Sequence, residues 1–195
     1  AETADILSRS KQTVILPDMA AGCSMADMAA IEQVDHCWET LGRILPVEET
    51  VMPAVYVNSA AVLKAFCGEH GGITCTSSNA KAVIDWSWAR REKILFFPDE
   101  HLGRNTANKM GLAKEEMIVW DPFQPNGGNT RGAIQRAKLI LWKGHCSVHQ
   151  MFQPVHVDNF RKQYPEGKVI VHPECHEDVV NKADLSGSTE FIIKT

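Results

Sequence analysis

The sequence predicts an α/β fold in which parallel sheets carry helices on both faces. Two observations support this. Short, β-branched, near-continuous apolar runs recur along the chain, as strands buried on both sides require. Between them lie segments whose apolar residues return close to every 3.6 positions, several with a cap before or a glycine after. Strand and helix alternating in this way read as βαβ units.

Each element follows from its own residues. "AETADILSRSKQ" begins as a helix, and "TVIL" (13–16) then reads as a strand. "SMADMAAIEQVDHCWETLG" (24–42) places Met28, Ile31, Val34 and Trp38 on one helical face. "AVYV" (54–57) is a strand, and "SAAVLKAFCGEHG" (59–71) a helix with a Ser cap and a Gly stop. "GITCT" (72–76) and "KILFF" (93–97) are strands on either side of the helix "NAKAVIDWSWARRE" (79–92), which "TSS" caps. "MIVW" (117–120) and "KLILW" (138–142) flank "DPFQPNGGNTRG" (121–132), whose Pro, Gly and Asn content reads as a surface loop. "PVHVDNFRKQYPEG" (154–167) fits a helix ending near Pro165. "KVIV" (168–171) and "FII" (191–193) read as the last strands.

Composition narrows the function classes. The 195 residues are 44% hydrophobic, enough for a substantial core in one or two domains. Net charge is -4 and pI about 6.1, so there is no bulk attraction to nucleic acid or to an anionic membrane. No apolar run approaches the roughly 20 residues that span a bilayer, and the start shows no secretory signal. The six cysteines are scattered without a C-x-x-C pair, which favours a reducing cytoplasm and thiols that are free, buried or metal-bound. The abrupt start and end suggest a piece of a longer chain.

In open parallel sheets, ligands bind beyond the carboxyl ends of the strands. Here those ends are rich in Cys, His, Ser, Asn and Asp. Cys23 follows Gly22 and Cys146 follows Gly144 and His145, each before a predicted helical start, where thiolate is favoured. These two are better metal-ligand candidates than Cys37 and Cys67, which lie within helices, or Cys75, which reads as core. His145 and His149 are further candidates. Tyr56 and Asn58 fall two residues apart, on one face of a strand. Ser77 in "TCTSSNA", and Ser188 with Thr189 in "LSGSTEF", are ordinary caps or, if they face one cleft, a cradle for phosphate or carboxylate. His172 and Glu174 flank Pro173 and could act as acid and base. From the residues alone three classes stay open. They are an enzyme with a metal site shared by Cys23 and Cys146, a zinc- or phosphate-binding α/β module, and a hydrolase or transferase using Cys146 with His149.

Six stretches together resemble the quinolinate synthase family. They are "PDMAAGCSMADM", "YVNSAAVLKAFCGEHGGITCTSSNA", "KILFFPDEHLGRNTA", "LWKGHCSVH", "VIVHPEC" and "GSTEFII". The resemblance implies three similar αβα domains about a pseudo-threefold axis, with the active site where they meet. On that pattern residues 1–45 end the first domain, 46–145 form the second, and 146–195 begin the third. It also implies a [4Fe–4S] cluster on three cysteines, one iron lacking a protein ligand and acting as Lewis acid. Cys23 and Cys146 match two of the three ligands; the third lies beyond this chain. Iminoaspartate and dihydroxyacetone phosphate are the implied substrates, and an aspartate oxidase or dehydrogenase the implied supplier of the first. Tyr56 and Asn58 match active-site positions, and Ser77 a carboxylate or phosphate contact. His149 matches a histidine beside the cluster. His172 and Glu174 match the pair at the substrate, with Glu174 the base. Ser188 and Thr189 match the phosphate-side hydroxyls. The family's N-terminal histidine, tyrosine and serine have no counterpart here.

Overall fold

The computed structural model describes residues 2–18 and 20–195. Ala1 and Met19, which fall inside two of the stretches read above, lie outside the described residues. Helix α1 (Glu2–Leu7) opens the chain. The strand expected at 13–16 does not form; Ile15 is 79% exposed, and among the described residues no strand pairs with this segment. The helix expected over 24–42 is divided. A single 3-10 turn (Ala26–Met28) is separated by extended Ala29 and Ala30 from α2 (Ile31–Gly42). A tertiary bond takes precedence over helix continuity there, because the Met28 carbonyl accepts from the Trp142 indole at 2.8 Å. The Gln33 side chain then caps the Ala30 N–H of α2.

The main sheet builds from a short helix α3 (Val47–Thr50) and strand β1 (Val51–Tyr56). There follow α4 (Ala61–Glu69), β2 (Ile73–Cys75), α5 (Ala80–Trp88), β3 (Lys93–Phe97) and α6 (Glu100–Lys109). β4 (Met117–Trp120), α7 (Arg131–Arg136) and β5 (Leu139–Trp142) complete it. The strand order is β2-β1-β3-β5-β4, and each pairing is parallel. The predicted α/β fold with helices on both faces is therefore present. Period-two alternation divides the core. Val51, Val55, Leu95, Phe97, Ile140 and Trp142 point to α2, α4 and α7. Met52, Ala54, Tyr56, Ile94, Phe96 and Leu141 point to α5 and α6. Full burial of one such side chain contributes about 1.5–3 kcal/mol.

Two cap assignments shift. The residue before α4 is Ala60, with no side-chain cap, while Ser59 accepts from Lys64 instead. Before α5 the cap position is Asn79, whose carboxamide turns back to accept from the Thr76 N–H at 2.7 Å. The loop at 121–132 contains a 3-10 turn (Pro125–Gly128). Its buried Gly127 lies at φ +63° so close to Trp120 that a Cβ would meet the indole at 2.3 Å.

Beyond β5 the chain forms a smaller unit. It comprises α8 (Pro154–Gln163), β6 (Ile170–Val171), α9 (Glu177–Lys182), β7 (Leu185–Ser186) and α10 (Thr189–Lys194). Strands β6 and β7 pair in parallel over a small core of Val157, Cys175 and Val179. The expected strand "FII" (191–193) is helical. Ser188 accepts from the Phe191 N–H at 3.3 Å, and a good N-cap decides the conformation of an apolar run too short to declare its own period. No helix among the described residues is long and apolar enough to cross a membrane.

Candidate active site

The chain leaves β1 towards one face of the sheet and leaves β3 towards the other, because α4 and α6 lie on opposite sides. A crevice opens between two such strand ends, and this is where open α/β sheets bind ligands. Tyr56 ends β1 on one side of it. Pro98 and Asp99 follow β3 on the other. β5 delivers the third wall, and Gly144 brings it close: a Cβ there would lie 1.9 Å from the Pro98 carbonyl oxygen. Glu100 N–H donates to the Gly144 carbonyl at 3.0 Å, and His145 N–H reaches the Met28 sulfur at 3.2 Å. The backbone leading to Cys146 is therefore fixed against both β3 and the 3-10 turn that follows Cys23.

Around Cys146 three donor types meet. The Cys146 thiol, a His149 ring nitrogen and a Glu174 carboxylate oxygen all lie within 4.8 Å of one another. His149 Nδ1 stands 3.0 Å from Glu174 Oε2, at an angle that leaves it without a well-directed hydrogen bond. The His149 and His172 rings stack 4.8 Å apart at 18°. His172 Nδ1 accepts from the Glu174 backbone N–H at 3.2 Å, which places the neutral ring's proton on Nε2. The same nitrogen is 3.9 Å from Glu174 Oε1, too far for a hydrogen bond, so the backbone contact fixes the tautomer.

Burial and charge set the protonation states. Glu174 is 3% exposed. Burial pushes its carboxyl up, but the close approach of His149, hydrogen bonding from Tyr56 and the charge of the nearby imidazoles outweigh that and hold it below the ordinary glutamate value. Glu174 is thus an ionised carboxylate in a nearly dry site. Burial, followed by that negative charge, holds the Tyr56 phenol far above its usual range, so Tyr56 stays protonated. Burial lowers His172, partly against the pull of Glu174, and keeps it neutral near pH 7. For Cys146 the expectation of a favoured thiolate is reversed in the free thiol. Burial raises it, against hydrogen bonding from the backbone N–H groups of His149 and Val148.

The other candidates take these places. Cys23 is exposed, and its neighbour Ser24 meets Ser147, the neighbour of Cys146, hydroxyl to hydroxyl at 3.0 Å. The two cysteine-bearing segments therefore touch although they lie far apart in sequence. Ser77 and Ser188 line one cavity of about 300 Å³ with Lys81, Lys109 and Asn105. Ser77 also faces the Tyr56 hydroxyl. Thr189 is exposed at the first turn of α10. Asn58 is exposed in the turn after β1; the strand stops at Tyr56, so the two-residue alternation does not carry over to it. Sequence reasoning missed Asp99, His101 and Asn105. Each is buried beside the site, and the polar spacing along "PDEHLGRN" was the available signal.

A parallel α/β sheet with a thiol, imidazoles and an ionised carboxylate gathered at its strand ends defines an enzyme-type site able to hold a thiophilic metal centre. The comparisons make the class specific. The family model "Quinolinate synthetase A protein" (NadA) matches residues 1–195, and this chain belongs to that family. It is 60% identical over 194 residues to a quinolinate synthase of Acidobacterium capsulatum, covering 99% of this chain and 52% of the relative. It is 56% identical to that of Rhodopirellula baltica and 54% identical to that of Corynebacterium glutamicum. Those matches cover 100% of this chain and 52% and 49% of the relatives. The chain thus spans about half the length of the curated relatives it matches.

Proposed function

We propose that the chain is part of a cytoplasmic quinolinate synthase. The reaction joins iminoaspartate to dihydroxyacetone phosphate and releases phosphate and water as the pyridine ring of quinolinate closes. The observation that carries this reading is the meeting of Cys146, His149 and Glu174 within 4.8 Å, in a chain matched along its whole length by the family. The curated relatives bear the name quinolinate synthase.

The donor set suits a [4Fe–4S] cluster. Cys23 and Cys146 would hold it with a third cysteine outside this chain, and the Ser24–Ser147 contact supports bringing them to one centre. The backbone N–H groups aimed at the Cys146 sulfur are the kind that stabilise cluster thiolates. When bound, such a cluster with one open iron supplies Lewis-acid polarisation of a substrate oxygen.

The chain's own residues account for the proton movements. Making the new carbon–carbon bond and expelling phosphate both require a proton to leave carbon. The Glu174 carboxylate is ionised, shielded from bulk water and held by its partners, so it can accept that proton. His172 Nε2–H and the Tyr56 hydroxyl are protonated donors beside it, suited to a departing hydroxyl or a developing oxyanion. Ser77 and Ser188, with Lys81 and Lys109 in the same cavity, suit the phosphate or a carboxylate; Asn58 and Thr189 are assigned to the substrate on the family pattern. The supplier of the unstable imine is proposed to be an aspartate oxidase or dehydrogenase.

The test is E174Q in the full-length enzyme, prepared without oxygen. The brown visible absorption should persist while turnover falls to a small residual rate. Full turnover in E174Q would refute the assignment. C23A and C146A should each abolish the colour.

A further inference from the structure

The loop that carries His172 and Glu174 belongs to the smaller unit, yet its position is decided by a helix of the main sheet. Asn105 lies on α6, is 2% exposed, and extends its carboxamide across the boundary between the two units. Its single Nδ2 donates to the carbonyl of Pro173 and to the carbonyl of Cys175, both at 2.8 Å. These two carbonyls flank Glu174. The loop is closed on itself from within: Cys175 N–H donates to the His172 carbonyl at 3.0 Å, and Glu174 N–H to His172 Nδ1. Two hydrogens of one rigid, planar amide therefore fix the backbone on both sides of the carboxylate. The amide is fixed in turn, because Asp99 caps α6 through the Leu102 N–H and Leu102 and Ala107 are buried in the main core.

We propose that Asn105 is a positioning residue for Glu174, holding the His172–Cys175 loop at the distance from Tyr56 and Cys146 that the reaction requires. This rests on the reading of Glu174 as the base. Asn108, one turn further along, marks the contrast. Its Nδ2 donates to the Glu177 side chain at 3.0 Å, beyond the loop. It contributes to the same boundary without touching the backbone of Glu174.

The experiment uses full-length enzyme loaded with its cluster, with rates normalised to cluster content. A displacement near 1 Å of a reacting group lowers turnover on the order of 100-fold, so N105A should lower kcat by roughly 10- to 100-fold. The KM for the triose phosphate should stay within about twofold, since Asn105, although it borders the Ser77–Ser188 cavity, commits its Nδ2 hydrogens to the loop carbonyls rather than to a ligand. N105S keeps one donor and should fall between the two; it decides the matter if N105A does not fold. N108A should leave kcat unchanged. A merely structural role is separated by a double-mutant cycle. If Asn105 acts through Glu174, adding N105A to E174Q should lower the residual rate by no more than about twofold. Independent, multiplicative losses would overturn the proposal. So would an unchanged kcat in N105A and N105S, or an equal loss in N108A. Full activity in E174Q would instead remove the reading on which it rests, and that outcome is distinct from the others.

Discussion

Gly144 is where a single methyl group should do the most damage. It lies between the end of β5 and Cys146, and its α-carbon faces the Pro98 carbonyl across the crevice. A Cβ built there stands 1.9 Å from that oxygen and 3.3 Å from Met28 Cβ, whereas real Cβ atoms do not come within 3.0 Å of such neighbours. The opposing atom is backbone, so no side chain can rotate away. G144A must therefore move the β5 tip or the β3 tip by at least about 1 Å, straining the Glu100 N–H to Gly144 carbonyl bond at the same time. Overpacking of this kind costs about 1–3 kcal/mol of stability. Because the same segment carries Cys146, displacement near 1 Å predicts a loss of turnover on the order of 100-fold. The assays are cluster content by anaerobic visible absorption, kcat per cluster, and urea unfolding. G68A is the control: nothing lies within 4 Å of its added Cβ, and it sits inside α4. Replacing this last-turn helical glycine should be neutral or stabilise by up to about 0.5 kcal/mol. Normal cluster content and turnover in G144A would show that the close approach of the two strand ends is dispensable.

Two pH predictions follow from groups buried beside the site. His101, 4% exposed, is depressed from 6.5 to about 4, first by burial and then by the charges of His176, Arg104 and His145, with Glu174 opposing. Between these values the unfolded chain binds a proton that the folded chain does not, so stability falls as pH drops from 6.5 towards 4. The loss should reach about 3 kcal/mol relative to H101Q in urea titrations; parallel pH profiles for the two proteins would contradict it. Asp99 is raised well above the usual aspartate value by burial, against the Leu102 N–H that it caps, with Glu174 and Glu100 adding to the rise. Here the folded chain holds the proton more tightly, so wild-type stability declines as pH rises above the unfolded value. D99N keeps the cap oxygen and has no charge to bury, so its advantage in unfolding midpoint should open with rising pH. A constant difference across pH would count against that account.

The strands at the centre of the sheet were legible because "AVYV", "ILFF" and "LILW" are apolar throughout, and only a position covered on both faces tolerates that. The runs at 13–16 and 191–193 have similar composition and formed no strand. A three- or four-residue run carries no period of its own, so a cap at Ser188 or the lack of a pairing partner decides its state. The same division holds at the site. Sequence alone placed Cys146, Ser77 and Glu174 just beyond strands and Tyr56 near the end of one, because local hydrophobic pattern marks where strands stop. It did not show that Tyr56 would face Glu174, or that Ser24 would meet Ser147. Those contacts join residues more than a hundred positions apart, and strand order, which no local pattern encodes, decides them. Asn105 was hidden for a related reason. A polar residue in a helix reads as solvated until the partner unit arrives and turns its amide into the anchor of a buried loop.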